Sequence, residues 1–370
     1  MGEYKISFCT VCMNRLHHLR QTLPANMLNN KNYRNLEFIL LDYNSDDGLD
    51  DFIKETFNDD IKSGKLIYYK TLTPKYFNRS HSRNMAYKLS TGDIVCNIDA
   101  DNYTGGKFAA YVNNEFKKNT NIFLTPIDNR MPTKKNDVFG RTCVKKNDFY
   151  KIRGYDERMV NYGFEDYDFA NRLELSGLTR NPIDQSYLKA ITHDEKERLS
   201  NEFVSGSIYS VFLNYLTPSS TDCLFLFNNN NYIRGTIVNN KTFKHTEQFT
   251  ELKNTHLKYT NAILQDEWIE GTWNKNETEL VLQKDKFHRE TLFFSKEKNC
   301  LSTLADKISS GFYELSDPNL IQEAIMFLSQ ITNRIIMEKN KLEKRIVVNS
   351  INFGKDIVYR NFDYQIPIDI

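Results

Sequence analysis

Neither sign of charge is in excess in this sequence. Among 370 residues, 49 Lys and Arg stand against 48 Asp and Glu, a formal charge of +1. Balance of this kind leaves no basic footprint for nucleic acid, so no nucleic-acid partner is expected. No block of like charge forms a polybasic membrane tail, and no run approaches the ~18 uninterrupted apolar residues that cross a bilayer. The opening Met1-Gly2-Glu3-Tyr4-Lys5-Ile6 lacks a basic stretch followed by an apolar core, so no secretory leader is expected. Ile6 also stands where a myristoylation motif requires Ser or Thr. A disulfide framework is missing too: Cys9, Cys12, Cys96, Cys143, Cys223 and Cys300 are scattered, mostly in apolar runs. That usage fits reduced, buried thiols and a cytoplasmic location, with peripheral attachment to the inner face of the plasma membrane left open. Cys9-Thr10-Val11-Cys12, followed by His17-His18, has no second CxxC to complete a zinc site and reads as thiols at a strand end. There is no internal repeat and no low-complexity linker.

What is present is apolar material for a core, with 40% hydrophobic and 13% aromatic residues in a chain long enough for more than one domain. The first 125 residues alternate between two periodicities. Strands are expected at Ile6 to Val11, Leu36 to Leu41, Leu66 to Tyr69 and Ile94 to Ile98. Helices are expected at Arg15 to Leu23, Phe52 to Phe57 and Ser80 to Leu89. Strands separated by helices of this length imply βαβ units, hence an α/β fold with a mostly parallel, Rossmann-like sheet flanked by helices. Ligands bind such sheets beyond the carboxyl ends of the strands, where Asp42, Asp99 and Asp101 fall. After Thr217 the pattern changes to strand-like runs at Cys223 to Phe227, Tyr232 to Val238, Trp268 to Trp273, Glu279 to Gln283 and Thr291 to Phe294. A helix is expected over 301–345. The simplest partition is a catalytic domain over 1–216 and a β-then-α appendage over 217–370. Tyr232, Trp268 and Trp273 in the appendage are explained more simply as a small β core than as a sugar-stacking surface. The apolar stripe after Ile321 is read as core or as a face for homo-oligomer association.

Two acidic motifs carry the chemistry. In Asn97-Ile98-Asp99-Ala100-Asp101 the two carboxylates lie two residues apart at a strand end, so they can aim at one point, which is costly unless a cation sits there. In Tyr162-Gly163-Phe164-Glu165-Asp166-Tyr167-Asp168 two adjacent acids stand at the start of a helix that ends before Gly177. The dipole alone favours acids there, and Asp168 with Arg172 is an ordinary i, i+4 pair. Glu165 and Asp166 are nonetheless of the right chemical class to take a proton from a sugar hydroxyl and to hold its neighbours. His193 could add an imidazole to the two aspartates, an O/O/N set that suits manganese better than calcium.

In this combination the chain resembles family 2 glycosyltransferases of the nucleotide-diphospho-sugar transferase (GT-A) fold that bear a galactosyltransferase-type C-terminal motif. The resemblance covers about residues 4–205. Its most specific part is Gly163-Phe164-Glu165-Asp166-Tyr167-Asp168, a version of the Gly-Trp-Glu-Asp-x-Asp pattern of β-galactosyltransferases and chondroitin-type polymerases, with Phe164 where Trp is usual. The resemblance implies a Mn2+ or Mg2+ ion held by Asp101, His193 and Asp99, with Asp99 also near the ribose. It implies Asp166 as general base with Glu165 beside it, Asp42 reading the base of the nucleotide, and Thr10 lining the same pocket. Arg15, Arg79 and Arg83 are implied for diphosphate or nucleotide contacts. The activity implied is metal-dependent, inverting transfer from a UDP-sugar such as UDP-Gal, UDP-GalNAc or UDP-GlcNAc to an oligosaccharide or glycolipid acceptor, in surface polysaccharide biosynthesis. The alternative is a carbohydrate-binding or scaffold protein with a degenerate transferase domain. A nucleotidyltransferase would need a Gly-rich, basic loop after the first strand, and Cys9 to Arg15 offers none.

Overall fold

The computed structural model describes residues 2–126, 138–192, 195–217, 220–238, 268–295, 300–303 and 311–370. The chain forms two compact units, Met1–Asp194 together with Thr332–Ile370, and Glu195–Ile331.

The first unit is built on β1 (Ile6–Cys12), α1 (Leu16–Asn29), β2 (Leu36–Tyr43), α2 (Leu49–Thr56), α3 (Asn58–Lys62), β3 (Leu66–Thr71), α4 (Arg79–Leu89) and β4 (Ile94–Asn97). It continues through β5 (Asn102–Tyr103), α5 (Phe108–Lys118), β6 (Ile122–Thr125), β7 (Cys143–Lys145), α6 (Lys146–Lys151), α7 (Glu165–Leu175), β8 (Thr179–Pro182) and β9 (Lys189–Ala190). The second unit holds α8 (Glu195–Leu199), α9 (Phe203–Ser207) and strands β10 (Ile208–Thr217), β11 (Ser220–Phe227), β12 (Asn231–Val238), β13 (Ile269–Lys275), β14 (Glu279–Gln283), β15 (Arg289–Ser295), β16 (Cys300–Ser302) and β17 (Tyr313–Glu314). Helix α10 (Pro318–Leu342) begins in the second unit and ends in the first, which β18 (Ile357–Arg360) and β19 (Asp363–Asp369) complete.

The sheet of the first unit has the order β19-β18-β3-β2-β1-β4-β7-β6-β8. The run β3-β2-β1-β4 is parallel throughout, with Ile6 opposite both Leu36 and Ile94 and Phe38 opposite Leu66. Its strands read as unbroken apolar runs because both faces are covered. Phe8, Leu40, Tyr68 and Cys96 pack on one side with α1 and α5, while Cys9, Ile39, Ile67 and Val95 pack on the other with α4 and α7. Cys9 and Cys12 therefore face opposite cores, both buried, and cannot pair with each other. Burial pushes both thiols well above the ordinary range, so neither is a reactive thiolate.

The expectation of a parallel sheet holds for the centre. Toward both edges the sheet is mixed, because β7 runs antiparallel between β4 and β6, and β18 runs antiparallel to β3. The expected boundary at 216 falls at the end of β10, whereas the contacts divide the chain at 194 and return residues 332–370 to the first unit. Over 301–345 the expected helix is shorter. Residues 300–302 and 313–314 are strand, and the helix begins at Pro318, a residue suited to a first turn.

The second unit is an antiparallel sheet in the order β16-β15-β14-β13-β12-β11-β10-β17. Leu224, Leu226, Tyr232, Leu280 and Leu282 form its core. Trp273 packs against that core and donates its indole N–H to the Phe227 carbonyl at 3.0 Å, which is the structural role expected of it. Among the described residues, no helix is long and apolar enough to cross a membrane.

One buried carboxylate fastens the lower edge of the parallel core. Glu37 on β2 accepts from Ser7 Oγ of β1 and from the Thr91 amide and hydroxyl ahead of β4, all at 2.6 Å, and pairs with Lys5 at 3.1 Å. Burial alone would raise its pKa, but these donors outweigh burial and hold it below the usual range. A carboxylate lowered in the folded state stabilises it above the unfolded pKa and loses that contribution as pH falls through the folded one. Glu37→Gln is therefore expected to cost about 1–3 kcal/mol at neutral pH in urea unfolding, with the gap to wild type closing in acid. A gap that stays constant with pH would show that the charge of Glu37 is irrelevant.

Candidate active site

The parallel strands present Thr10, Asp42 and Asp99 at their carboxyl edge, with Cys12 level with Asp42 and Cys9 level with Asn97. Helix α4 approaches the same edge. Asn78 caps it by accepting the His81 amide at 3.0 Å, and Arg79 and Arg83 fall one turn apart on one face. Helix α7 begins at Glu165, with the dipole favouring the acids of its first turn.

These elements meet at Arg83, which is 4% exposed. Its Nη1 donates to Glu165 Oε1 at 3.1 Å and to Asp166 Oδ1 at 2.8 Å, and its Nη2 donates to Asp99 Oδ1 at 2.9 Å. The guanidinium lies over the Tyr155 ring at 5.4 Å, and Tyr155 is in turn stacked on Phe169 of α7 at 4.1 Å. Asn97 Nδ2 also donates to Asp99 Oδ1, at 2.8 Å, and to the Gly140 carbonyl at 2.9 Å. A Cβ at Gly140 would crowd the side-chain ends of both Asp99 and Arg83, so a larger residue there would displace their ion pair.

Three carboxylates share the Arg83 guanidinium, with the charges of Arg79 and Arg141 acting on Asp166 and Asp99. The acids respond differently. Burial pushes Asp166 well above the usual carboxylate range, and Glu165 and Asp99 push it further against the pull of Arg83. Burial also opposes the charge of Asp99, but Arg83 and the Asn97 amide outweigh it and hold Asp99 low. Two buried acceptors, Glu165 Oε2 and Asn97 Oδ1, have no hydrogen-bond partner among the described residues. Asp101, half-exposed, accepts from Asn102 Nδ2 at 2.7 Å, and Asn102 is held by the fully buried Arg141 at 2.8 Å. Burial lowers the Arg141 guanidinium to about 10. Asp99 and Asp101 place carboxylate oxygens two residues apart at this edge, the hard donor type that magnesium and manganese take.

The other expected residues lie as follows. Thr10 and Asp99 line one small cleft with Thr22 and Asn26. Asp42 is fully buried: Oδ1 accepts from the Ser45 amide at 2.7 Å, Oδ2 accepts from Tyr68 Oη at 2.7 Å, and Lys70 Nζ lies 3.4 Å away. Burial raises the Asp42 carboxyl against these partners. Arg15 donates to the Asn14 carbonyl at 3.1 Å, ahead of α1. Arg79 sits over the Tyr162 ring at 4.4 Å. His193 lies outside the described residues.

Asp168 belongs to a separate network. Its Oδ2 accepts from Arg172 Nε at 2.7 Å and its Oδ1 from Asn340 Nδ2 at 2.8 Å, while the same Asn340 amide donates to Asp156 Oδ2 at 2.8 Å. Arg158 then grips Asp156 at both oxygens. Asn349 donates to the Arg153 and Tyr155 carbonyls, and Asn84, next to Arg83, donates to Tyr155 O and Glu157 Oε1 at 2.9 Å. Residues from the far end of the chain thus hold the floor beneath Arg83 and the acids. Arg141, Asn97, Lys70 and Asn340 had no local signal in the sequence. Only the i, i+4 spacing of Arg79 and Arg83 hinted at a basic face on α4.

With this geometry in view, the chain can be set beside known proteins. Residues 7–170 match the family model described as glycosyl transferase family 2. That segment is a family 2 glycosyltransferase domain, and it contains every residue of the Arg83 cluster. No curated protein matches the chain. Among solved structures, a mannosyltransferase from Pyrobaculum calidifontis in complex with GDP-Man and Mn2+ is 15% identical, with 56% of this chain and 64% of that one covered and a TM-score of 0.42. S. aureus TarS 1-349 in complex with UDP is 15% identical over 52% and 62% of the two chains, with a TM-score of 0.42. GalNAc-T7 with UDP, GalNAc and Mn2+ is 13% identical over 52% and 44%, with a TM-score of 0.44. The chain spans less than two thirds of the length of each of these three.

Removing the central cation should leave its acids without the guanidinium they share. Arg83→Leu is expected to cost about 3–5 kcal/mol, the usual penalty for uncompensated buried carboxylates. Without Arg83 their folded pKa values rise above the unfolded ones. Stability is then present below the unfolded pKa and is lost as pH rises through the folded values. The deficit should shrink as pH is lowered toward the ordinary carboxylate range in urea unfolding, and a deficit that does not change with pH would refute the electrostatic account.

Proposed function

We propose that the protein is a metal-dependent, inverting hexosyltransferase that moves a sugar from a UDP-sugar to a hydroxyl of an oligosaccharide or glycolipid acceptor, as in assembly of a surface polysaccharide. The observation that carries the reading is the junction at Arg83, where the strand-end acid Asp99 and the helix-start acids Glu165 and Asp166 share one buried guanidinium. A transferase needs a site for the leaving diphosphate next to a base for the incoming hydroxyl, and this junction supplies both kinds of group on adjoining elements.

In this reading Asp99 and Asp101, with His193 as a further ligand, hold Mn2+ or Mg2+, which when bound would stabilise the negative charge of the departing diphosphate. Thr10 and Arg15 serve the nucleotide side. Asp42 acts there through Ser45 and Lys70, the groups that its carboxylate holds in place. Asp166 takes the proton of the acceptor hydroxyl. Burial raises its affinity for protons, the direction a general base needs, and Arg83 keeps it aligned by its grip on Oδ1. Glu165, with one oxygen on Arg83 and the other unsatisfied, accepts a second acceptor hydroxyl. One in-line displacement, with base and leaving group on opposite sides of the anomeric carbon, inverts that centre. General base assistance supplies ~10²–10⁴-fold, so positioning and electrostatics provide the remainder.

A thermal-shift titration with UDP, with and without MnCl2, tests the donor and metal parts. Metal-dependent stabilisation is expected, and no UDP binding with any divalent ion would overturn them. UDP release from a panel of UDP-sugars supplied with methyl glycosides as acceptors tests transfer. Asp166→Asn should bind UDP as wild type does and lose at least ~10²-fold in release rate, the usual share of a general base. Undiminished release would remove Asp166 from that role.

A further inference from the structure

The loop that delivers Asp166 is held by three consecutive residues of α10. Gly163 has φ +91° and Phe164 has φ +66°, the left-handed region that a bulky aromatic rarely occupies. Phe164 is the residue on which α7 starts, and its carbonyl accepts the Asp168 amide at 2.9 Å. Any relaxation of Phe164 toward an ordinary φ would turn the first helical residues, Glu165 and Asp166, away from Arg83. Such a conformation persists only where its surroundings impose it.

The surroundings here are specific. Asn333, 1% exposed, spends both amide hydrogens on this loop, donating to the Asn161 carbonyl and the Gly163 carbonyl, each at 2.7 Å. Thr332 Oγ1 accepts from Asn161 Nδ2 at 3.0 Å, so the loop is bonded in both directions. Arg334 places its guanidinium over the Phe164 ring at 5.8 Å, on the residue that carries the unusual φ. Phe164 and Tyr167 are in ring contact at 5.9 Å, which extends the aromatic surface next to the base.

We propose that Asn333 is a positioning residue for sugar transfer: by clamping the carbonyls of Asn161 and Gly163 it holds Phe164 left-handed and so aims Asp166 at the acceptor hydroxyl. The proposal rests on the reading of Asp166 as the base that meets the acceptor. It assigns the clamp to the acceptor side alone, because the donor side is built from β1, β2 and β4 and makes no use of Asn333.

The test combines two readouts on the full chain. In hydrogen–deuterium exchange, Asn333→Ala should raise exchange of peptides covering 161–168 by roughly tenfold while those covering 36–43 and 94–99 keep the wild-type rate. In turnover, UDP-GlcNAc, UDP-GalNAc and UDP-Gal are supplied with methyl glycosides as acceptors or with water alone. Transfer to the glycoside should fall by ~10²-fold, the scale expected for a misplacement of about 1 Å, while UDP affinity and hydrolysis to water stay within about threefold of wild type. Asn333→Gln, which keeps the donor on a longer arm, should recover part of the loss. If Asn333→Ala does not melt cooperatively, Asn333→Ser takes its place in both arms. Unchanged exchange over 161–168, or an equal fall in transfer and hydrolysis, overturns the proposal. The exchange result stands even where no UDP-sugar is turned over, so failure of the clamp and failure of the transferase reading are separable.

Discussion

The structure turns on one guanidinium. Arg83 ties the acid at the end of β4 to the two acids at the start of α7, and without it the buried Glu165 and Asp166 and the partly exposed Asp99 would lose the guanidinium they share. Burying a charge is expensive, and the ways to tolerate it are a partner, a metal or protonation. Here the first is shared, since one guanidinium bonds to three acids. The second is what the proposed function assigns to the strand-end pair. The third shows in Asp166, whose proton affinity is raised by burial and by its acidic neighbours. A site that is electrostatically unfinished in the bare protein is one whose binding partners complete it.

That unfinished state constrains everything packed around it. A side chain at Gly140 would crowd Asp99 and Arg83. Tyr155 lies under the guanidinium and is pinned by Phe169, Asn84 and Asn349. Asp168, only two residues beyond the proposed base, takes no part in the cluster. It is fully engaged by Arg172 and Asn340 and serves to lock α7. One short acidic motif thus divides into two acids bonded to Arg83 and one bonded to Arg172 and Asn340.

The sequence made the central strands legible because each is a continuous apolar run, and it made the acid positions legible because turn residues follow each run. Arg83 was visible as a basic residue, but its role was not. A contact with nucleotide was expected, whereas the structure places it among acids that come from 16 to 83 residues away in the chain. The mixed edges of the sheet were hidden for another reason. Strand β18 is only four residues long and β19 leaves Tyr364 and Ile366 exposed, so nothing local marks β18 as the partner of β3 or β19 as the partner of β18. Asn340, Asn333 and Asn349 were equally silent. An asparagine on a helix or in a loop is commonplace, and its worth depends on which distant carbonyls it reaches. Over 301–345 the apolar spacing identified the helix but not its start, which the proline at 318 sets.

The pairing of Asn340 with Asp168 joins residues 172 positions apart. A ribosome adding about 5–20 residues per second would present α7 some ten to thirty seconds before the amide that satisfies it. During that interval β3 has no neighbour on its outer side and Asp156 and Asp168 have no shared donor. The catalytic unit therefore cannot mature in the order in which it is translated: its earliest strands must wait, open-edged, for the segment that closes them.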